Sequence, residues 1–271
     1  ALAVYLQSIG VVPEQVVALY VERSVEMIVA LLAIQKSGAA YVALDPGYPQ
    51  ERLAYILDDC GTGILLTTGN ILSAIEPVIN GLNSRTANET ILIVPFDQYW
   101  ETIEQSAQQN PLKKQVKPDN LMYILYTSGS TGKPKGVEVT QRNLVNFLSS
   151  MAKNPGFESG DYLLALTTIN FDISGLELYL PLICGGTVGL VSSDITIDGI
   201  ALKVLIERSS ATHIQATPST WRMLLSAGWR KEHNNLKLLC GGEALPSDLA
   251  KSLLSRCSLL FNRYGPTERP P

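Results

Sequence analysis

The stretch YTSGSTGKPKG, Tyr126 to Gly136, places three glycines, five hydroxyl groups and two lysines within eleven residues. That composition suits a phosphate cradle. Glycines let backbone N–H groups approach an anion closely, and Thr127, Ser128, Ser130 and Thr131 add hydroxyl donors. Lys133 or Lys135 supplies the compensating charge. A Walker loop needs a glycine, four residues, then Gly-Lys-Ser/Thr running into a helix. Here Gly132-Lys133 is followed by Pro134, and Thr127 stands where the first glycine would be. Proline also biases Lys133 away from helical geometry. The loop therefore points to phosphate binding of a non-Walker kind.

Two further polar clusters carry carboxylates: NFDIS with Asp172, and NRYGPTE with Glu268. Other chemistries have little to draw on. Only His213 and His233 are available for a zinc site or a histidine-based triad, and His213 in THIQAT reads as a packed residue. Cys60, Cys184, Cys240 and Cys257 show no CxxC spacing, which predicts reduced thiols and a cytoplasmic protein. The 271 residues carry a formal charge of −4, which argues against a nucleic-acid surface. Lys113, Lys114 and Lys117 read as a solvated linker. No apolar run approaches the ~18 residues that a membrane span requires. At 46% hydrophobic and 17% charged, the composition is that of a globular chain.

The elements that must hold these loops alternate between strand and helix. VVALYV, AAYVALD, GILLTT, LMYILYT, DYLLALTT, GTVGLVS, THIQAT, LKLLCGGE and the run into LFNRYG read as strands. Helices are predicted at SVEMIVALLAIQKSG, with Ser24 as cap and Gly38 as stop, and at YPQERLAYILDDCG, between Pro49 and Gly61. TQRNLVNFLSSM, GIALKVLIERS and STWRMLLSAG follow the same pattern. The expected fold class is α/β: two subdomains, 1–110 and 111–271, with largely parallel sheets covered by helices. The join falls in the polar stretch near 105–120, and the phosphate loop belongs to the second subdomain. The three polar clusters then sit at strand ends, where open α/β sheets bind ligands.

Taken together, these segments resemble the adenylate-forming (AMP-dependent synthetase/ligase) superfamily, and most closely the adenylation domains of nonribosomal peptide synthetases. LMYILYTSGSTGKPKG resembles the phosphate-loop signature and SGAAYVALDPGYPQERLAYILDD the second core motif. NFDISGLELYLPLICGGTV resembles the substrate-binding segment, LLCGGEAL the adenine-side turn and NRYGPTE the fifth core motif. They run in family order from about residue 31 to 268. The resemblance implies that Thr127, Ser128, Gly129, Ser130, Thr131, Gly132 and Lys133 contact ATP phosphates. It assigns Gly241, Gly242, Glu243 and Ala244 to the adenine edge, and Asn262 and Tyr264 to the nucleotide. Thr267 meets the α-phosphate, Glu268 holds Mg²⁺, and Thr127, Lys133, Thr267 and Glu268 act on the reacting groups. Asp172 grips the α-ammonium of an amino acid, and Ile173, Leu176, Gln215, Leu239, Gly241 and Arg263 line the side-chain pocket. The alternative for Asp172 is a cap on a helix beginning near Ser174.

The implied reaction joins an amino-acid carboxylate to ATP, releasing pyrophosphate and forming an aminoacyl-adenylate. In a parent synthetase of secondary metabolism it passes to the phosphopantetheine thiol of a peptidyl carrier domain, beside a condensation domain. The pocket series D-I-L-Q-L-G resembles that associated with glycine, so a small amino acid is expected. Arg263 departs from the pattern, since an apolar residue is usual there, and it points to solvent or favours a polar or acidic side chain. Gln141 stands where a histidine is usual and Ala43 where proline is common. After Glu268 the chain reads Arg269-Pro270-Pro271, without the family's threonine-rich run. The expectation is an N-terminal part that lacks the lysine-bearing C-terminal subdomain and turns over poorly. A non-catalytic nucleotide-binding remnant is the rival reading. An acyl- or aryl-acid ligase is a weaker one, which Asp172 disfavours.

Overall fold

In a computed structural model, residues 1–84, 90–113, 116–128, 133–230 and 233–263 are described, with the side chains at 233 and 234 excepted. The chain forms two compact units, Ala1–Leu144 and Val145–Pro271.

The first unit opens with α1 (Leu2–Ser8) and then builds a sheet through alternating strands and helices. These are β1 (Val16–Tyr20), α2 (Val25–Ser37), β2 (Ala40–Leu44), α3 (Gln50–Asp59), β3 (Ile64–Thr67) and α4 (Leu72–Asn83). β4 (Leu92–Pro95), α5 (Trp100–Gln109), β5 (Leu121–Thr127) and β6 (Lys135–Thr140) complete it. The sheet order is β4-β3-β1-β2-β5-β6. Every pair is parallel except β5 and β6. The helix punctuation works as the sequence predicts. Ser24 accepts a hydrogen bond from the Met27 N–H, and Gly38 ends α2 in the left-handed region at φ 99°. α3 buries Leu53, Ile56 and Leu57, spaced i, i+3 and i+4, against Ala18, Val42, Leu44 and Leu65 of the sheet.

Two expectations are corrected here. The join does not fall at 110: β5 adds to the first sheet, pairing Tyr41 with Tyr123, so that the first unit runs on to Leu144. The phosphate loop consequently belongs to the first unit. It is also followed by a strand, β6, where the sequence reading passed directly to a helix. Between β3 and the polar stretch, α4, β4 and α5 fill a span to which no element had been assigned.

α6 (Gln141–Met151) runs across the boundary, and a π-helical turn at Ala152–Gly156 follows it. The second unit contains β7 (Tyr162–Ala165), α7 (Ser174–Cys184), β8 (Thr187–Leu190), α8 (Ser193–Thr196), α9 (Gly199–Arg208) and β9 (His213–Ala216). It closes with α10 (Pro218–Ser226), β10 (His233–Gly241), α11 (Ser247–Leu254) and β11 (Cys257–Arg263). Its five strands run in the order β11-β10-β9-β7-β8, and every pair is parallel. The order reverses at β7, with β8 on one side and β9 on the other, which makes a topological switch point at the carboxyl ends of β7 and β9. The core beneath is apolar, with Trp221 and Trp229 stacked at 5.9 Å among Leu202, Ile214, Leu224 and Leu238. Among the described residues no helix is long and apolar enough to cross a membrane.

Candidate functional site

In the first unit, β5 and β6 form an antiparallel hairpin whose last pair is Thr127 with Lys135. The glycine-rich segment therefore lies between two antiparallel strands and does not lead from a strand into a helix, which is a further difference from a Walker loop. Thr127 is half-buried, whereas Ser128, Lys133 and Lys135 are exposed. Among the described residues neither lysine forms an ion pair. The stems are tied to the end of α3. Tyr126 Oη donates to Asp59 Oδ2 at 2.6 Å, and Tyr55 Oη donates to the Pro134 carbonyl at 3.1 Å. Gly136 is required by packing, because a Cβ there would come within 2.9 Å of Ile124 Cγ2.

In the second unit, register and alternation gather the expected pocket residues. Leu239 pairs with Gln215 on one side, and Gly241 pairs with Arg263 on the other. Leu239 and Gly241 are two apart, so these four positions share one face of the sheet at its carboxyl end. A Cβ on Gly241 would lie 3.1 Å from Ile173 Cδ1, 3.4 Å from Gln215 Nε2 and 2.6 Å from the Arg263 carbonyl oxygen. Ile173, Gln215, Gly241 and Arg263 are therefore immediate neighbours. Leu176, Gln215 and Leu239 are buried, at 1%, 2% and 1% exposure, and form the floor. Arg263 is half-buried, its guanidinium 5.4 Å from the Phe147 ring centroid. Its Nη1 is buried without a hydrogen-bond partner among the described residues, and burial lowers its pKa.

Asp172 is half-buried in the segment that connects β7 to α7. Its Oδ1 accepts the Ile173 N–H at 2.8 Å, while Ile173 holds the N-cap position of α7 without a side-chain cap bond. Asp172 therefore stands one residue before the N-cap, with its carboxylate on the N–H of the N-cap residue. Glu177, which the sequence reading passed over, fixes this segment. It is 0% exposed, and its carboxylate accepts the Thr167 N–H at 2.8 Å and the Thr167 hydroxyl at 2.5 Å. A lone acid inside the apolar run SGLELYLPLIC is the signal that was available for it.

The GGEA turn follows β10 directly. Gly241 is buried, and Gly242, Glu243 and Ala244 are exposed, with Gly242 at φ 80°. Glu243 is held by Ser219 Oγ, which donates to Oε2 at 2.8 Å. Asn262 is exposed near the end of β11. Gly129, Ser130, Thr131, Gly132, Tyr264, Thr267 and Glu268 lie outside the described residues. Among the described residues no group of three His, Cys, Asp or Glu side chains stands together as a metal site, and Glu268, the expected ligand, is not one of those residues. His213 is packed as expected, its Nε2 3.0 Å from the Gly156 carbonyl and its Nδ1 2.8 Å from Thr212 Oγ1. The four cysteines are free; burial pushes the thiols of Cys60 and Cys240 up to about 11.

Comparison with known proteins gives this geometry a family. The chain is 40% identical over 259 residues to a dimodular nonribosomal peptide synthase of Bacillus subtilis, covering 96% of this chain and 10% of that protein. It is 34% identical to gramicidin S synthase 2 of Aneurinibacillus migulanus, covering 98% of this chain and 6% of that one. The chain thus spans a small fraction of the length of these relatives. Among solved structures, a four-domain nonribosomal peptide synthetase, holo-AB3403 bound to AMP and glycine, superposes with a TM-score of 0.82 at 35% identity. That match covers 98% of this chain and 19% of the other. The AMPPNP-bound form of the synthetase FmoA3 gives 0.81 at 25% identity, covering 98% and 27%. The match to the AMP-binding enzyme family extends from residue 1 to residue 271, and the chain belongs to that family.

Proposed function

We propose that this chain carries the ATP loop and amino-acid pocket of a carboxylate-adenylating ligase, and that its substrate is glycine or another small amino acid. The observation that carries the reading is the second unit's pocket. The half-buried Asp172 directly precedes Ile173; Leu176, Gln215 and Leu239 are buried; and Gly241 is crowded by Ile173, Gln215 and the Arg263 carbonyl. A carboxylate in a partly desolvated setting is a strong, directional partner for an α-ammonium group. Fatty or aryl acids offer no such group. Bulky Leu and Gln side chains at the pocket positions leave little room for a substrate side chain, which supports a small substrate. The 35% identical synthetase crystallised with AMP and glycine supports both parts of the reading.

The chain's own groups then divide the work. Thr127, Ser128 and Lys133, with Gly129, Ser130, Thr131 and Gly132, receive the ATP phosphates. Gly242, Glu243, Ala244, Asn262 and Tyr264 receive the nucleoside, and Thr267 the α-phosphate. The amino-acid carboxylate attacks the α-phosphorus and pyrophosphate leaves, so positioning and charge neutralisation dominate over covalent chemistry. Mg²⁺ held by Glu268 would neutralise phosphate charge, as a hard cation on oxygen ligands does. The product is suited to transfer onto the phosphopantetheine thiol of a peptidyl carrier domain beside a condensation domain. The nonribosomal synthetase relatives support those partners. The free, un-ionised thiols fit a reducing cytoplasm.

One observation favours a second substrate. The buried Nη1 of Arg263, without a partner among the described residues, suits an amino acid whose side chain ends in a hydrogen-bond acceptor such as a carboxylate. Isothermal titration with glycine, alanine and aspartate in the presence of Mg·ATP separates the two readings. Glycine binding that weakens about 10- to 150-fold in Asp172→Ala, with Mg·ATP binding unchanged, is the expected result. Unchanged glycine affinity in that variant would remove the pocket assignment. Preference for aspartate that disappears in Arg263→Leu would replace glycine with an acidic substrate.

A further inference from the structure

The loop between β5 and β6 enters and leaves through residues fastened to one helix end. Tyr126, immediately before Thr127, donates its hydroxyl to Asp59 Oδ2 at 2.6 Å. Pro134, immediately after Lys133, offers its carbonyl to Tyr55 Oη at 3.1 Å. Tyr55 Oη also stands 3.5 Å from Asp59 Oδ1, and the two tyrosine rings meet edge to face at 6.5 Å and 86°. Tyr55 and Asp59 are four apart, on one side of the last turns of α3. The other side of that helix, Leu53, Ile56 and Leu57, is buried in the first unit's core. The anchor is thus a packed helix. Burial, reinforced by the hydrogen bond to Asp59, raises the Tyr126 phenol well above its ordinary value, so it stays a donor at neutral pH. A second observation concerns the backbone. Thr127 pairs with Lys135, so the tyrosine bonds and the ladder converge on the same two stems.

We infer that Asp59, Tyr126 and Tyr55 clamp both stems of this loop to α3 and act as positioning residues for Thr127, Ser128 and Lys133. The clamp stands on the hairpin geometry, and its consequence for ligand affinity rests on the phosphate-loop reading proposed above. In general a glycine-rich sequence gives up more backbone freedom on binding an anion than other sequences do. Fixing its two ends in advance lowers that cost, which is preorganisation of the ligand site from behind.

Hydrogen exchange of the ligand-free chain tests the clamp directly. Tyr126→Phe is expected to speed exchange at the amides of the 126–136 segment about three- to tenfold, as for one lost hydrogen bond. The Tyr55→Phe variant, at a half-exposed position that does not threaten folding, should act on the Pro134 side. Asp59→Asn keeps an acceptor oxygen and should lie nearer the unaltered chain than Asp59→Ala. Exchange in this segment unchanged in all four variants would overturn the clamp. Titration with Mg·ATP then tests positioning: the variants with faster exchange should bind it more weakly by a similar factor. Faster exchange with unaltered affinity would overturn the positioning role. Failure of the unaltered chain to bind Mg·ATP would remove the phosphate reading, while the exchange data would still decide the clamp.

Discussion

Glu177 shows how a single side chain can place a site it does not enter. Its carboxylate is fully buried and holds both the N–H and the hydroxyl of Thr167, just beyond β7. It thereby joins α7 to the segment in which Asp172 lies. Glu177→Ala removes two hydrogen bonds to the half-buried Thr167 and opens a void. A loss of about 2–4 kcal/mol is expected, while Glu177→Gln, which keeps an acceptor, should lose less. Urea denaturation measures both, and an unchanged midpoint for the alanine variant would contradict the role. Gly241 is constrained in a different way. A methyl group there would sit 2.6 Å from the Arg263 carbonyl oxygen, which is backbone and can move only if β11 shifts. Gly241→Ala should cost about 1–3 kcal/mol, and should abolish amino-acid binding in a titration even where the fold survives. Asp172 was legible in the sequence because it lies in a polar loop between apolar elements. Glu177 carried a weaker signal, because a lone acid within an apolar helix reads equally as a surface position.

At the scale of elements, the junction of β7, β9 and the π-helical turn is expected to lose stability in acid. Burial lowers the pKa of His213, outweighing the Gly156 carbonyl and Asp161, which raise it, while Lys237 adds to the lowering. Asp161 is desolvated too, but the Glu158 N–H, Thr212 and the neighbouring cations together hold its carboxyl below the usual value. Lys237 Nζ donates to the carbonyls of Pro155 and Gly156, each at 3.1 Å, so a cation faces His213 from β10. The unfolded chain binds a proton at His213 near its ordinary value of 6.5, whereas the folded chain does so only at lower pH. Stability from this group is therefore complete above that value and declines as pH falls below it, with a slope of up to about 1.4 kcal/mol per pH unit. Asp161 contributes in the same direction at lower pH. His213→Gln should flatten the decline between about pH 6.5 and 5 in thermal or urea unfolding. An equal slope in the variant would show that other groups set it. The helices with clear caps, such as α2, were legible because Ser24 and Gly38 punctuate a long apolar repeat. β6 was not: KGVEVT is short, opens beside Pro134, and owes its strand to pairing with β5.

At the scale of the molecule, the alternating pattern predicted two α/β units with mostly parallel sheets, and that is the architecture. The boundary was misplaced because a polar stretch resembles a linker, whereas β5 finds its partner in β2 on the far side of that stretch. Pairing between strands distant in sequence decides such boundaries, and local composition does not register it. The loops proposed to bind ligand could be singled out for the opposite reason, since phosphate and ammonium binding would demand glycines, hydroxyls and a carboxylate in short contiguous runs. The central claim is that this chain takes up ATP together with a small amino acid. The shift in thermal midpoint with Mg·ATP, alone and with each of a panel of amino acids beginning with glycine, tests it most directly. A ligand at a hundred times its dissociation constant stabilises the folded chain by about 2.7 kcal/mol, or a rise of roughly 5–10 °C for a chain of this size. The account predicts a rise with Mg·ATP that grows with glycine and not with bulky amino acids. A cooperative transition whose midpoint is unmoved by Mg·ATP with any amino acid would contradict it.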